Sequence, residues 1–261
     1  AAQALGAEAL KPEKSLSYSL GLVLQPAERV YLTIDAYQIN IDDRIVLSSN
    51  IPLANNAAAQ ALLASLGITN VTSARYFNNA IDTRTRGVDV VGTWSVPMQA
   101  STLDLTASYN YNKTDVTRIA PNPQALTDLG ANLERIGRDE RGRIEEGFPR
   151  DKFSLNANWK LDRWDINAGA TRYGEFTTRH ASNPAQDQTF DPKWTLDLSV
   201  DFRPDAHWTL SLGADNVLDS HPDRTRATST GVNAWGQMPY SNYAPAGFNG
   251  AYVYGRIGYK W

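Results

Sequence analysis

Hydrophobic and polar residues alternate along nine segments of the chain, and the last segment shows the pattern most clearly. There, Val253, Ile257 and Tyr259 lie on one side of the pattern, while Tyr254 and Arg256 fill positions between them. Successive side chains of a β-strand point to opposite faces, so the segment predicts a strand with one apolar and one polar face. The alternation in the other segments spans residues 16–24, 30–36, 88–96, 103–111, 153–161, 164–170, 194–202 and 208–214.

Short turns and long polar loops alternate between the predicted strands. An alanine- and leucine-rich stretch from Asn56 to Leu66 predicts a short helix on the first loop. After Tyr37 the apolar positions move to Ile39 and Ile41. This shift predicts a β-bulge near Gln38, because one extra residue exchanges the two faces. The turns cover residues 25–28, 97–100, 162–163 and 203–206, and the loops cover about 48–79, 114–150, 177–191 and 219–248.

Strand length and aromatic positions favour an all-β fold, an antiparallel transmembrane β-barrel. Each predicted strand has roughly ten residues, the length that crosses a bilayer at a tilt. In such barrels the short turns face the periplasm, the long loops face outside, and aromatic residues mark the interfaces. The aromatic residues near the predicted turn ends are Trp94, Trp159, Trp164, Phe202, Trp208 and Trp261.

The same alternation assigns side chains to the lipid or to the barrel interior. The residues predicted to face lipid are Leu20, Leu22, Val90, Leu105, Leu155, Leu198 and Leu210. Those predicted to face the interior are Asp89, Asp104, Asn156, Asp197 and Asp215. An antiparallel barrel closes only with an even number of strands, because its first and last strands must run in opposite directions. We therefore expect the nine strands to belong to a larger barrel.

Composition narrows the possible classes of function. The mean hydropathy of −0.42 and the lack of an apolar run of about 18 residues exclude a transmembrane helix. A net charge of −3 provides no basic field for nucleic acid, and the absence of cysteine excludes disulfides and thiolate metal sites. Residues 1–9 lack the features of a signal peptide. We expect that a signal has been removed or that the chain begins within a longer protein.

The sequence contains no pattern typical of catalysis or metal binding. His180, His207 and His221 have no partner at metal-ligand spacing, and neither G-x-S-x-G nor H-E-x-x-H occurs. We predict no enzyme activity, no metal site and no cofactor. The charged stretch 134–152 predicts a solvated loop. The alternative is contact with lipopolysaccharide or another anion through Arg135, Arg138, Arg141 and Arg143.

Several stretches resemble the TonB-dependent outer-membrane receptor family. Residues 10–15 (Leu-Lys-Pro-Glu-Lys-Ser) look like the family's entry to a late strand, and residues 30–45 are similar to the strand that follows. Residues 76–80 with 85–89, and then 212–219, resemble two further blocks of the family in the right order. The aromatic Trp261 matches the family's assembly signal, whereas Ser220 and His221 depart from the aromatic residue often found there.

The resemblance implies a 22-stranded barrel filled by an N-terminal plug, which a TonB-binding segment precedes. Residues 1–261 would then be the C-terminal barrel part, without the plug and the first strands. The implied function is energised import of a scarce ligand, most often a ferric siderophore, across the bacterial outer membrane. The implied partners are outer-membrane lipid and lipopolysaccharide, the barrel-assembly machinery, the TonB system and the small-molecule ligand. The alternatives are a passive porin-like barrel and a soluble β-sandwich lectin or adhesin.

Candidate ligand contacts lie in the last long loop and on the polar face of the last strand. Rigid aromatic rings offer contact area at low entropic cost, and amides orient polar groups. The alternative for the loop is that it packs on itself over the barrel mouth. The candidates are Trp235, Tyr240, Asn242, Tyr243, Tyr252, Tyr254 and Arg256. For assembly, the resemblance implies a signal formed by Ile257, Tyr259 and Trp261.

Overall fold

The fold is seen in a computed structural model that describes residues 2–130, 133–226 and 239–261. Its helices are α1 (Ala57–Ser65), α2 (Gln124–Thr127) and α3 (Arg138–Glu145), and short 3₁₀ turns occupy Gln3–Leu5 and Pro184–Gln186. None of the helices in these ranges has the length and apolar character needed to cross a membrane. The strands are β1 (Lys14–Ala27), β2 (Val30–Leu47), β3 (Ile51–Pro52), β4 (Ser73–Ala74), β5 (Phe77–Met98), β6 (Ser101–Ile119), β7 (Asp151–Leu161), β8 (Trp164–Tyr173), β9 (Phe176–Thr178), β10 (Gln188–Phe190), β11 (Lys193–Phe202), β12 (Trp208–Asp215) and β13 (Tyr252–Tyr259).

Nine of these strands form one antiparallel sheet in the order β1-β2-β5-β6-β7-β8-β11-β12-β13. Each long strand pairs with the next long strand in the chain, and the short pairs β3–β4 and β9–β10 lie within the loops. Within the described ranges, β1 pairs only with β2 and β13 only with β12, so the sheet is open at both edges. The predicted number and order of strands are confirmed, and a two-layer sandwich is excluded because all nine strands share one sheet.

Register divides the sheet into an apolar face and a polar face. One row of partners crosses eight strands on the apolar face through Val30, Trp94, Leu105, Ala157, Ala168, Leu198, Ala214 and Val253. The row beside it crosses the polar face of five strands through Thr93, Thr106, Asn156, Gly169 and Asp197. Partners in an antiparallel pair share a face, so the alternation read from the sequence is confirmed across the sheet.

Aromatic side chains mark both ends of the apolar face. We call the end with the short turns the turn end and the opposite end the loop end. At the turn end, the Trp164 and Phe202 rings lie 4.4 Å apart; at the loop end, those of Phe153 and Trp194 lie 6.2 Å apart. Trp194 and Phe202 are separated by roughly 26 Å along β11 at about 3.3 Å per residue. A tilted strand of that length spans an apolar band of about 25 Å or less. The sequence analysis had identified only the girdle at the turn end.

Three strands continue far beyond the predicted boundaries at the loop end. β2 runs on to Leu47, β5 already begins at Phe77, and β6 continues to Ile119. Beyond the aromatic girdle neither face needs to be apolar, so the period-two signal fades although the backbone pairing continues.

The predicted helix on the first loop is confirmed as α1, where the Asn56 side chain caps the helix by accepting a hydrogen bond of 2.9 Å from the Ala59 amide.

The predicted bulge near Gln38 is wrong. Gln38 pairs regularly with Tyr18 on β1 and with Arg86 on β5. The register of β2 with β5 shifts only after Ile41, on either side of Arg44. Ile39 and Ile41 therefore stay on the same face as Asp35. They lie beyond the girdle, where an isoleucine on the polar face does not require a change of register.

The larger of two buried hydrophobic clusters lies in the loops, at the loop end of the sheet, and a smaller one packs the loop-end parts of β2 and β5 against Ile136. We call the unit formed by residues 2–10, 48–76 and 120–136 the cap. Its segments are joined by contacts such as the 3.2 Å hydrogen bond that the Tyr76 hydroxyl donates to the Leu5 carbonyl. The cap thus folds over the sheet as one unit rather than as separate loops. Its buried residues are Leu5, Ile51, Leu53, Ala59, Leu63, Tyr76, Leu126 and Leu133.

Helix α3 joins the cap through the ion pair of Glu140 with Arg75 and the hydrogen bond that Ser49 donates to Asp139, so the prediction of a solvated loop is wrong for Arg138–Glu145. The Glu140 carboxylate, only 5% exposed, accepts from Arg143 at 2.6 Å and also pairs with Arg75 of the first long loop. Arg141 pairs with Glu145 at 3.0 Å. The Arg135 guanidinium donates to the Ala120 and Pro121 carbonyls. These arginines are engaged within the protein, which argues against the alternative of contact with lipopolysaccharide or another anion.

Arg138 ties α3 to the next long loop through Asp187. The Asp187 carboxylate accepts two hydrogen bonds from the Arg138 guanidinium, one of 2.7 Å, and a further one of 2.9 Å from the His180 amide. The Arg138 hydrogen bonds hold the pKa of Asp187 below its ordinary value of 3.8, and the His180 amide acts in the same direction. The charged form of this carboxylate therefore stabilises the folded loop.

This lowered pKa gives a pH dependence with a definite sign. A carboxylate whose pKa is lower in the folded state stabilises the protein above the unfolded value, and that contribution is lost as the pH falls through the folded pKa. We expect Asp187→Asn to weaken protection of residues 180–190 at pH 7 by about 1.5–3 kcal/mol. Hydrogen–deuterium exchange at pH 7 and pH 3, corrected for intrinsic rates, measures it. The control is Glu175→Gln, which changes an exposed carboxylate on the same loop. It should leave the protection of residues 180–190 unchanged at both pH values, and equal protection in the two variants would contradict the role of Asp187.

The two faces of β11 allow a matched test in lipid. Leu198 lies midway between Trp194 and Phe202 on the apolar face, and Ser199 beside it lies on the polar face. We expect Leu198→Arg to cost about 2–4 kcal/mol in folding free energy in lipid vesicles, because the cation would meet hydrocarbon. Ser199→Arg should cost clearly less. Urea unfolding of the full-length protein in vesicles measures both, and equal costs would refute the assignment of the faces.

Candidate functional site

The polar face of the sheet carries carboxylates, amides and hydroxyls that bond to one another across strands. Asp104 accepts hydrogen bonds from Ser95 at 2.7 Å and from Lys160 at 3.1 Å. The Asn158 amide donates to Asp165 at 2.7 Å. These bonds hold the side chains in place and leave a polar surface that suits the wall of a water-filled lumen. It offers a solute many weak polar contacts without one strong binding group.

A depression of about 220 Å³ opens on this face around Gly169. A Cβ atom at Gly169 would lie 2.9 Å from the Asn156 amide oxygen, so the absent side chain helps to make the space. Asp197 and Asp215 supply two carboxylates at the rim, and the candidate residue Tyr254 also lines it. The sequence had placed both aspartates on the interior face. Grouping them with Tyr254 required the register of three strands, β11, β12 and β13.

The three candidate residues of the last strand lie in one line on the polar face. The Tyr252 and Tyr254 rings stack with centroids 6.0 Å apart, and Arg256 follows opposite Ser211. The Tyr254 ring passes so close to Gly213 that a Cβ there would lie 2.3 Å from it. Glycine at position 213 therefore permits this ring position. Their position on one face follows from the alternation read from the sequence, and a role in ligand contact stays a prediction.

Two candidates of the last long loop make separate aromatic contacts, one of them with Phe148, which the sequence analysis missed; we call Phe148, Tyr240 and Tyr243 the aromatic group. Tyr243 meets Phe148 edge to face with ring centroids 6.0 Å apart. Tyr240 lies between His221 at 5.8 Å and Phe248 at 6.4 Å. Asn242 is exposed beside them, whereas Trp235 falls outside the described residues. Phe148 belongs to a different loop, about 95 positions before Tyr243, and no local sequence pattern links the two.

The residues assigned to an assembly signal lie along the outer side of the last strand and just beyond it. Ile257 faces outward next to Leu210, and the Tyr259 ring packs 4.8 Å from that of Trp208 in the turn-end girdle. Trp261 is 98% exposed at the end of the described chain. Apolar side chains on a bare outer surface suit contact with lipid or with another protein.

No metal centre is evident in the parts of the chain that the structure describes. Within residues 2–130, 133–226 and 239–261, no three His, Asp or Glu side chains converge in the manner of metal ligands. His207 and His221 each use Nδ1 to contact a backbone carbonyl oxygen. His180 Nδ1 instead accepts hydrogen bonds from the Ser182 and Asn183 amides.

Comparisons with solved structures match the sheet to large outer-membrane barrels. The outer membrane transporter YddB from Escherichia coli aligns at a TM-score of 0.62 and 14% identity over 97% of this chain and 33% of its own. A mutant of the ferric enterobactin receptor PfeA from Pseudomonas aeruginosa aligns at 0.60 and 14%, over 97% and 32%. The siderophore receptor PirA from Acinetobacter baumannii aligns at 0.57 and 15%, again over 97% and 32%. At these identities the likeness shows the fold, an antiparallel transmembrane β-barrel, of which this chain spans about a third.

Sequence comparison identifies the family. No curated protein matches the chain. The family described as "TonB dependent receptor-like, beta-barrel" matches residues 1–217, which include the first eight strands of the nine-stranded sheet. The resemblance found in the sequence blocks is thereby confirmed. The chain belongs to the TonB-dependent receptor-like β-barrel family.

Proposed function

We propose that residues 1–261 are the C-terminal barrel part of a TonB-dependent outer-membrane receptor that actively imports a scarce ligand such as a ferric siderophore. The observation that carries this proposal is the single sheet with an apolar face between two aromatic girdles and a polar face behind it. That arrangement is the wall of a membrane barrel around an aqueous interior. The family supports energised transport, and the structural neighbours named as a siderophore receptor and a ferric enterobactin receptor support the ligand class.

The open sheet supports a larger barrel. β1 and β13 each have one long side without a partner strand in the described residues, and unpaired backbone groups are costly in hydrocarbon. We propose that other strands of a 22-stranded barrel cover these edges and that a plug fills the lumen. The TonB system would act through that N-terminal part.

In the proposed mechanism no bond is made or broken. The cap and the aromatic group of Phe148, Tyr240 and Tyr243 capture the ligand outside. The polar face, with the depression beside Tyr254, lines its route inward. A passive porin-like barrel is the alternative, and it differs in needing no energy.

Energy dependence separates the two functions. We expect cells that carry the full-length protein to accumulate labelled iron from at least one ferric siderophore, and expect a protonophore to abolish the accumulation. Cells without the protein, and cells without TonB, are the controls. Uptake that continues with the protonophore and without TonB would establish the porin-like alternative instead.

The aromatic group can be tested with a matched pair of phenylalanines. Phe148 and Phe77 are 57% and 58% exposed, but only Phe148 belongs to the aromatic group. We expect Phe148→Ala to weaken binding of the imported siderophore about tenfold, which corresponds to about 1.4 kcal/mol. Phe77→Ala should leave it unchanged. Titration on whole cells with equal receptor levels measures both, and equal affinities would exclude the aromatic group from ligand capture.

For Ile257, Tyr259 and Trp261 we propose a role in assembly by the barrel-assembly machinery. Trp261 would anchor the last strand at the periplasmic interface, next to Tyr259. We expect the amount of surface receptor to be near normal for Trp261→Phe, reduced for Trp261→Ala and lowest for Trp261→Asp, while the assembled receptors keep normal ligand affinity. Surface labelling measures the amounts, and equal levels for all three variants would refute the anchoring role.

A further inference from the structure

The chain contains a single Asn-Gly pair, Asn249 and Gly250, in the connection that leads into β13. The Asn249 side chain is exposed, and Gly250 adopts the left-handed conformation with a φ of 72°. Among the hydrogen bonds of the described residues, none has the Gly250 amide as its donor. Glycine carries no Cβ to shield its backbone, so other groups can approach this amide closely.

The imidazole ring of His221 faces the backbone of Gly250. A Cβ atom at Gly250 would lie 3.0 Å from His221 Nε2 and 2.9 Å from Cε1 of the same ring. On its other side the ring approaches the Asp219 carbonyl oxygen, which lies 2.8 Å from Nδ1. A carbonyl oxygen can only accept a hydrogen bond, so Nδ1 carries the proton of the neutral ring and Nε2 keeps a free lone pair. A base therefore faces a backbone amide that is free to react.

Asp219 holds the base and the amide together. Its carbonyl oxygen orients the His221 ring, and its carboxylate accepts a hydrogen bond of 2.9 Å from the amide of Ala251, the residue after Gly250. The His221 ring also packs against that of Tyr240, with centroids 5.8 Å apart. His221 and Gly250 are about 29 positions apart in the sequence, so only the fold brings them into contact.

We propose that Asn249 is a site of self-catalysed deamidation, with His221 as the general base. Nε2 takes the proton of the Gly250 amide, directly or through one water molecule, and the amide nitrogen attacks the side-chain carbonyl carbon of Asn249. A bond forms between that nitrogen and Cγ, and the bond from Cγ to the side-chain nitrogen breaks. The side-chain nitrogen leaves as ammonia with the proton that His221 returns. Water then opens the resulting cyclic imide to aspartate or isoaspartate.

The reaction would change the charge of the surface at the loop end. Both products carry a carboxylate where asparagine has a neutral amide, and isoaspartate also lengthens the main chain by one carbon atom just before β13. The residue before Asn249 is Phe248, whose ring stacks with that of Tyr240 at a centroid distance of 6.4 Å. Deamidation would therefore add a negative charge beside the aromatic group, without the help of a modifying enzyme.

The test follows Asn249 in the full-length protein, purified in neutral detergent and incubated in heavy-oxygen water. Opening of the imide takes its oxygen from water, so the label marks conversion that occurs during the incubation. After digestion at acid pH, chromatography with mass spectrometry measures asparagine, aspartate and isoaspartate at position 249.

The variant His221→Asn keeps a donor near the position of Nδ1 and removes the base Nε2. Pro222 follows and has no backbone N–H, so the new asparagine cannot form an imide itself. His221→Gln serves if His221→Asn does not fold, as judged by mobility on an unheated gel. The matched control is His207→Asn, because His207 Nδ1 also contacts a backbone carbonyl oxygen but lies at the turn end.

We expect folded His221→Asn to convert Asn249 about tenfold more slowly than the unaltered protein, a smaller effect than the roughly hundredfold of a base in an evolved active site. His207→Asn should convert at the unaltered rate. In urea all three chains should convert equally, because unfolding takes His221 away from Gly250. Equal rates in the three folded proteins would overturn the role of His221, and the absence of labelled product at Asn249 would overturn the modification itself. Neither ligand nor transport enters the measurement, so its result is independent of the proposed function.

Discussion

Unbroken backbone pairing between neighbouring strands is the constraint on which this structure depends. In hydrocarbon each unpaired N–H or C=O group costs several kcal/mol, so a membrane-spanning sheet must satisfy every one through its neighbours. The pairing of β5 with β6 follows this rule from Met98, opposite Ser101, to Thr83, opposite Val116. Once the ladder is fixed, the face of every side chain is fixed with it. The apolar face and the polar face of the sheet are both consequences of that register.

The protein is stabilised in two different ways, one in the band between the aromatic girdles and the other in the cap. In the band between the girdles, described side chains such as Leu198 and Leu210 remain bare on the outer surface, at 41% and 40% exposure, and the lipid is their expected environment. In the cap, Leu5, Leu63 and Leu126 are buried as in a water-soluble domain. The ion pair of Arg75 with Glu140 joins helix α3 to the cap, and that of Arg138 with Asp187 joins α3 to the next long loop. The cap therefore resembles a small globular domain assembled from the connections of a membrane sheet.

The sequence predicted the features that repeat with a period of two and missed those that do not. Nine strands, their order and the faces of Leu105 or Asp197 follow from alternation, because the bilayer enforces it there. The start of β5 at Phe77 and the regular pairing of Gln38 lie beyond the band, where alternation carries little information. The contact of Phe148 with Tyr243 and the depression beside Tyr254 depend on residues brought together from different loops or strands. Such proximity leaves no local trace in one sequence.

The cap is built from several segments of the chain, and this affects how its surface can change between related proteins. Leu5, Ile51 and Leu126 come from three separate segments of the chain, yet they share one core. A large change in residues 48–76 alone would leave Leu5 and Leu126 facing water or a void, at a cost of several kcal/mol per large side chain. New outer surfaces should therefore be inherited as sets of matched loops. A chimaera between relatives would need to exchange residues 2–10, 48–76 and 120–136 together, as a single cassette.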